Sequence, residues 1–467
     1  MLHCCSLLLQ LLLSARALQL PAWWDGVGPR LVLTPYIEAR RYQTAKGLAA
    51  VDEGPFNQGI PSYAGFLTVN KQFNSNLFFW FFPAEVDYEN APVLLWLQGG
   101  PGTSSLFGLF YEIGPFSIAQ DNETLVENPH SWHKNHSVIF IDNPVGTGFS
   151  FTDFGTGLAS NQTQIGEELY CALVQFFTLF RELRFRPFFI AGESYAGKYV
   201  PNLGYIIHKK NPTASLKINL EGIAVGNGWT DPVTMMDLSS FLYHLGLVDH
   251  KAREELQQLE EDTVQSIHHG DFQEAYVTTG KIFSRLSSHS YLNSVYNFLE
   301  ERDDDQKTGM TAFLQRQDVR RALHVGDAEF SAQAAPVYVK LVNDIMQSAR
   351  GSLEGLLDHY RVLYYSGQLD VIVAYPLSVS MYHNMQFGAS ELYRNATRTA
   401  WYVDGQLAGY MKTAGKFTEV MVRNAGHFVP KDQPAWALDL ITRFTRNRLT
   451  RRHHYIHRTA AKDVTWL

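Results

Sequence analysis

Residues 188–201 read Phe-Phe-Ile-Ala-Gly-Glu-Ser-Tyr-Ala-Gly-Lys-Tyr-Val-Pro, and they constrain the fold more than any other stretch. A short apolar run closes at Gly192, Ser194 follows, and an amphipathic segment continues from Tyr195 to about His208. The pattern switches from a buried strand to a helix with almost no loop between them. Such a connection puts the serine at the apex of a sharp turn and demands small neighbours around it. The strict form of the turn is G-x-S-x-G. Here Ala196 holds the last position and Gly197 comes one step later. Gly-x-Ser also begins at Gly102, Gly148 and Gly388, but only Gly192 ends an apolar run and opens a helix.

The surrounding chain repeats the strand and helix alternation. Apolar runs at Leu77–Phe82, Val93–Leu97, Val138–Ile141, Phe188–Ala191, Ile223–Val225, Val362–Tyr365 and Glu419–Val422 read as strands. Helices are expected at Ile165–Phe180, Tyr195–His208, Val337–Ala349 and Ala435–Arg446. Buried strands alternating with helices predict an α/β fold with a mixed, mostly parallel sheet, its first strands paired as an antiparallel hairpin. From about Trp229 to Ala335 the pattern turns polar and helical, which predicts a helical cap inserted between two sheet strands. The expected organisation is thus 1–17 signal peptide, 18–228 with 336–450 as the core, 229–335 as the cap, and 451–467 as a basic tail. The acidic clusters Glu254-Glu255, Glu260–Asp262 and Glu300–Asp305 are expected on the solvated surface, with a cleavable loop near Asp303–Thr308 as a lesser reading.

Leu7–Leu13 followed by Ala15-Arg16-Ala17 reads as a signal peptide with its cleavage site. The run is too short to span a bilayer, so no membrane span is expected. Sequons at Asn122, Asn135, Asn161 and Asn395 fit an exported glycoprotein of lysosomal or secreted fate. Past the signal only Cys171 remains, and it is expected as a buried core cysteine. With 45% hydrophobic residues, 18% charged residues and a net charge of −7, the 467-residue chain is globular and shows no sign of nucleic-acid binding.

A serine nucleophile needs a base, and that base needs an acid to fix its tautomer. After a strand–turn–helix elbow the chain order is serine, acid, histidine. Asp370 follows the run Val362–Tyr365 on a loop, and His427 follows Glu419–Val422. Both fall where open α/β sheets collect ligands. The developing oxyanion requires backbone donors. The N–H of Tyr195 is one. The loop Gln98-Gly99-Gly100-Pro101-Gly102, directly after Val93–Leu97, is placed to supply another.

With these residues assembled, the chain resembles the serine carboxypeptidase family. The matching stretches are Trp96-Leu-Gln-Gly-Gly-Pro-Gly102, Gly108-Leu-Phe-Tyr-Glu-Ile-Gly-Pro115, Ile141-Asp-Asn-Pro-Val-Gly-Thr-Gly-Phe-Ser150, Gly192-Glu-Ser-Tyr-Ala-Gly197, Gly226-Asn-Gly228 and Asn424-Ala-Gly-His427. Within the family it most resembles the vitellogenic-like branch, through Leu33-Thr-Pro-Tyr-Ile37 and Ser62–Phe82. The resemblance implies an α/β-hydrolase fold and a triad of Ser194, Asp370 and His427. It implies Gly100 and Tyr195 as oxyanion donors, with Gln98, Gly99, Glu112 and Glu193 holding the substrate's terminal carboxylate. Crowded carboxylates cannot all stay charged, so a shared proton and exopeptidase action favoured at acidic pH follow. Implied partners are peptides or proteins with a free C-terminus, with a homodimer as the candidate assembly. No cofactor or metal enters this chemistry. An acyltransferase on the same scaffold and a partner-protecting role are the competing readings. The family usually carries Asn where Gln98 stands, and many relatives carry a disulfide cysteine where Thr103 stands. The cap also lacks the family's stapling cysteines.

Overall fold

The computed structural model describes residues 26–301 and 306–449. The signal segment 1–17, the acidic residues Asp303–Asp305 and the tail 451–467 lie outside the described residues. Among the described residues, no helix is long and apolar enough to cross a membrane.

The strands are β1 (Tyr63–Asn70), β2 (Ser75–Phe82), β3 (Val93–Leu97), β4 (Phe116–Ile118), β5 (Leu125–Glu127), β6 (Ser137–Ile141), β7 (Phe188–Glu193), β8 (Leu220–Gly226), β9 (Arg361–Gly367), β10 (Thr399–Val403), β11 (Gln406–Ala414) and β12 (Phe417–Val422). Ten of them form one sheet in the order β1-β2-β6-β3-β7-β8-β9-β12-β11-β10. The run from β6 to β12 is parallel, while β1-β2, β2-β6, β12-β11 and β11-β10 are antiparallel. The first hairpin is β1 with β2. The runs at β2 and β3 do not pair, because β6 lies between them.

β3 is apolar and buried at every position, and its neighbours carry continuous apolar runs, because both faces of the central sheet are covered. In β3, Leu94 and Trp96 enter one core while Leu95 and Leu97 enter the other, as alternation of side chains requires. Helices α1 (Gln162–Leu179) and α2 (Ala196–Lys210) cross over from β6 to β7 and from β7 to β8. Asn161 caps α1, its side chain accepting from Gln164 N at 2.9 Å. Phe176, Leu203 and Ile207 join the same core as Leu95 and Leu97.

Between β8 and β9 the described residues form helices and no strand, including α3 (His250–His268), α4 (Phe272–Ser290) and α5 (Ala335–Ile345). Not all of this stretch stands apart from the sheet. Met310, Phe313, Leu314, Val319 and Leu323 pack into the core that holds Trp80, Phe110 and Phe116. The helix expected over Val337–Ala349 ends at Ile345.

Two expectations need correction. Glu260 is not on the solvated surface. It is 4% exposed and accepts from Ser239 N and Ser239 Oγ, each at 2.7 Å, so it anchors the start of the preceding helix (Leu238–His244) to α3. Burial pushes its carboxyl up to about 7. Cys171 is half-buried rather than a core residue. It faces Thr68 O and the Gln175 amide at the margin of α1, where polar neighbours replace apolar packing.

Candidate active site

The parallel register brings five loops to one end of the sheet. Leu97 is level with Gly192, Glu193 with Gly226, and Gly226 with Tyr365, and Gly367 is level with Val422. The residues just beyond those positions are Gln98, Ser194, Asn227, Asp370 and His427.

Ser194 sits between β7 and α2 with φ +64°. A left-handed backbone at a non-glycine residue is costly and persists only where its surroundings fix it. Here Ser194 N donates to Gly226 O at 3.0 Å, while Ser194 O accepts from Gly197 N and Trp229 N, both at 2.9 Å. The turn is therefore held from β8 and from its own helix. Gly99 is pressed against it. A Cβ on Gly99 would stand 2.5 Å from Tyr195 N and 2.7 Å from Ser194 Cβ. Only a residue without a side chain can let the β3 loop approach the elbow so closely.

The next loop position, Gly100, has φ +108°. Among the described residues the N–H groups of Gly100 and Tyr195 find no acceptor, which leaves two donors beside the serine. Asp142, at the end of β6, holds that loop from behind. It accepts from Ser104 Oγ at 2.5 Å, Ser105 N at 3.0 Å and Phe149 N at 2.9 Å. Ser105 Oγ in turn accepts from Gln98 N at 3.1 Å.

His427 Nδ1 lies 2.8 Å from Asp370 Oδ2, and both side chains are buried. The same Asp370 oxygen accepts from Asn227 Nδ2 at 2.6 Å, and Asp370 Oδ1 accepts from Val373 N at 3.2 Å. With Nδ1 paired to a carboxylate, the imidazole keeps its basic lone pair on Nε2. Among the described residues Nε2 has no hydrogen-bond partner. No hydrogen bond joins it to Ser194 Oγ, although both residues line one cavity. Such contacts tighten when substrate arrives. The cavity has a volume of about 430 Å3 and is walled by Gln98, Gly99, Gly100, Phe107, Tyr296 and Phe428 among others.

At the floor of this region three side chains meet. A π-helical turn, Leu109–Ile113, turns Glu112 inward, where it is 4% exposed. Glu193 is fully buried and accepts from Gln98 Nε2 at 2.9 Å. Gln98 Oε1 accepts from Trp96 Nε1 at 3.0 Å, which fixes the orientation of the amide. Burial pushes Glu112 up to about 7, opposed chiefly by its hydrogen bond with Glu193. Burial, reinforced by the charge of Glu112, holds Glu193 well above the usual carboxylate range. Neither Glu112 oxygen meets a donor while both carboxyls are ionised. One proton shared between the two groups gives each a partner.

Every residue singled out from sequence for the chemistry therefore gathers at this end of the sheet. The four sequons do not share one environment. Asn122, Asn161 and Asn395 are exposed, whereas Asn135 is half-buried, with its amide donating to Thr442 Oγ1 at 3.3 Å. Sequence reasoning assigned no role to Asn227 or Asp142. Both stood inside motifs, Gly226-Asn-Gly228 and Ile141-Asp-Asn-Pro144, but their partners are far away in the chain. It also missed a buried cluster behind the elbow. Tyr195 Oη donates to Asp344, and Gln162 Nε2 donates to Asp344 Oδ2 at 2.6 Å. Lys198 Nζ donates to Asp344 O at 2.5 Å and to Gln347 O. Burial lowers that amine to about 8.

A parallel sheet with a strained serine elbow and a buried histidine–aspartate pair at its strand ends defines the α/β-hydrolase class. The crystal structure of a prohormone-processing carboxypeptidase from Saccharomyces cerevisiae has this fold. It superposes with a TM-score of 0.76 at 24% identity, covering 86% of this chain and 96% of the other. Within that class the chain belongs to the serine carboxypeptidase family, whose model matches residues 53–447. The venom serine carboxypeptidase of Apis mellifera is 47% identical over 91% of this chain and 92% of its own length. The vitellogenic carboxypeptidase of Aedes aegypti is 44% identical over 90% of each.

Proposed function

The protein is a serine carboxypeptidase, and we propose the following roles for its residues. Ser194 attacks the last peptide bond of a substrate. His427 accepts the serine proton and passes it to the leaving amine, with Asp370 holding the imidazole in the required tautomer. Gly100 N–H and Tyr195 N–H take the charge that develops on the carbonyl oxygen. The resulting acyl-enzyme is released by water through the same histidine. The shared-proton pair of Glu112 and Glu193, with the Gln98 amide and the Gly99 backbone, receives the substrate's terminal carboxylate. The observation that carries this reading is that Glu193, the residue before Ser194, is buried in hydrogen-bond contact with both Glu112 and the Gln98 amide. A protonated carboxyl there donates to a carboxylate, which a pair of ionised glutamates repels.

This reading favours acidic conditions, because the proton on Glu112 is lost as pH rises through about 7. Tyr296, Lys307 and Gln333 line the cavity from the stretch between β8 and β9, which supports the reading of 229–335 as the cap over the site. The signal-like start and the exposed sequons support passage through the secretory route, to a lysosomal or extracellular destination. The test is hydrolysis of N-blocked dipeptides between about pH 4.5 and about pH 7 by the wild type, Ser194→Ala and Glu193→Gln. Release of the C-terminal residue, abolished in Ser194→Ala and weakened through KM in Glu193→Gln, supports these roles. Equal hydrolysis by Ser194→Ala would overturn them.

A further inference from the structure

The cavity that holds Ser194 is lined by aromatic, aliphatic and neutral polar residues, with one basic side chain besides His427. Lys307, near the start of the helix Gln306–Leu314, lines it and is half-buried. Its ammonium donates to Gln333 Oε1 at 3.0 Å, and among the described residues no carboxylate pairs with it. Partial burial without an opposite charge also lowers its pKa, with no carboxylate among the causes. A partly desolvated cation facing a ligand cavity is unfavourable until an anion arrives.

The position of this cation is fixed on both sides. Gln333 accepts from Thr103 Oγ1 at 2.6 Å and donates to Pro101 O at 2.9 Å, so Lys307 is tied to the loop of Gly99 and Gly100. Its chain neighbour Gln306 accepts from Tyr111 Oη at 2.8 Å. Tyr111 packs its ring against Phe107, a cavity wall, at 5.3 Å between centroids, and it immediately precedes Glu112. Lys307 is therefore tied to the loop of Gly99 and Gly100 and, through its neighbour Gln306, to the residue that precedes Glu112. In the reading above the terminal carboxylate is taken by Glu112, Glu193 and Gln98, so among the described residues Lys307 faces the cavity without a carboxylate partner.

We propose that Lys307 is a specificity determinant that makes this enzyme favour peptides whose released C-terminal residue has an acidic side chain. The proposal rests on the carboxypeptidase reading above and names its substrate class. An aspartate or glutamate side chain supplies the missing counter-charge, and the Gln333 amide orients the ammonium toward it. A solvated lysine near a surface groove does no such work. Here the amine is half-buried, anchored, and inside the cavity of the serine.

The experiment compares kcat/KM for three N-blocked dipeptides ending in Glu, Leu and Lys, using the wild type, Lys307→Met and Lys307→Glu. The expected wild-type preference for Glu over Lys is roughly two- to fivefold, the worth of one partly solvated ion pair. Lys307→Met removes that preference while cleavage of the Leu-ended peptide stays within about twofold. Lys307→Glu inverts it in favour of Lys. A fourth peptide carries Glu before the cleaved bond and Leu after it. If the charge effect follows this peptide rather than the Glu-ended one, the assignment to the released residue is overturned. It is also overturned if the variants change all peptides alike. Cleavage of the Leu-ended peptide by the wild type reports on the carboxypeptidase reading separately, so a missing Glu preference sinks the subsite alone.

Discussion

Asn227 and His427 share one acceptor: Asp370 Oδ2 lies 2.6 Å from the Asn227 amide and 2.8 Å from His427 Nδ1. Asn227 also accepts from Gly367 N at 3.2 Å and holds φ +43° at the end of β8. It thus sets the direction of the carboxylate that orients the imidazole. Asn227→Ala should lower kcat by roughly 10²-fold with little change in KM, because a misplaced base affects the chemical step rather than binding. It should also destabilise the fold by about 1–3 kcal/mol through the unpaired polar groups. Steady-state kinetics and thermal denaturation measure the two effects. An unchanged kcat would remove Asn227 from the positioning of Asp370.

The shared proton predicts a particular pH profile. Glu112 rises from 4.5 to about 7 on burial, so the folded state holds a proton that the unfolded chain has released. The sign follows from linkage: this contribution to stability is fully present below about pH 4.5 and is lost as pH rises through about 7. KM for a free-acid peptide should climb as pH rises through about 7, where Glu112 ionises and the pair is left with the single proton held with Glu193. In Glu112→Gln that climb should flatten. A KM that is level from about pH 5 to about pH 8 in the wild type would exclude protonated Glu112 as a donor to the substrate.

Gly99→Ala should be among the most damaging single changes. The added methyl would meet Tyr195 N at 2.5 Å and Glu193 O at 2.7 Å, and both are backbone atoms that cannot swing away. The loop or the elbow must move, at a cost of about 1–3 kcal/mol. Displacement of the two proposed oxyanion donors should cost at least roughly 10²-fold in kcat. Retained activity in a folded Gly99→Ala protein would mean that the β3 loop supplies no donor.

Glycan mapping should separate the four sequons. Asn122, Asn161 and Asn395 are exposed. Asn135 is half-buried, its amide is bonded to Thr442, and Ser137 of the same sequon is buried with Ala84 N donating to its hydroxyl. Peptide mass spectrometry of protein expressed through a secretory route is expected to find glycan at the first three and none at Asn135. Full occupancy at Asn135 would require that β6 and the helix Pro434–Thr445 be modified before they pack together.

The parts of this molecule legible in the sequence are those fixed by local pattern. The central strands showed because both faces are buried, so each is a continuous apolar run. β10 and β11 did not, since alternate positions such as Tyr402 and Gln406 face solvent and carry no comparable signal. Ser194 was legible because strand, turn and helix adjoin in the chain. Glu260 was not, because its partner Ser239 is 21 residues away and an acidic cluster hides the one buried member. The cluster of Tyr195, Lys198 and Asp344 spans more than 140 residues of sequence, and nothing near Asp344 marks it as buried. Gln98 was noted as a longer-armed replacement. Its anchoring by Trp96, two residues earlier, appears only once β3 places the indole above it.

Central to the proposed mechanism is that the buried Glu112–Glu193 pair turns a serine hydrolase elbow into an exopeptidase site. The most direct measurement is kcat/KM for one N-blocked dipeptide with a free C-terminal carboxylate and for the same peptide as its C-terminal amide. The free acid should be cleaved at least roughly 10²-fold better near pH 5, and Glu193→Gln should narrow the gap by raising KM for the acid alone. Equal cleavage of acid and amide by the wild type would contradict that mechanism.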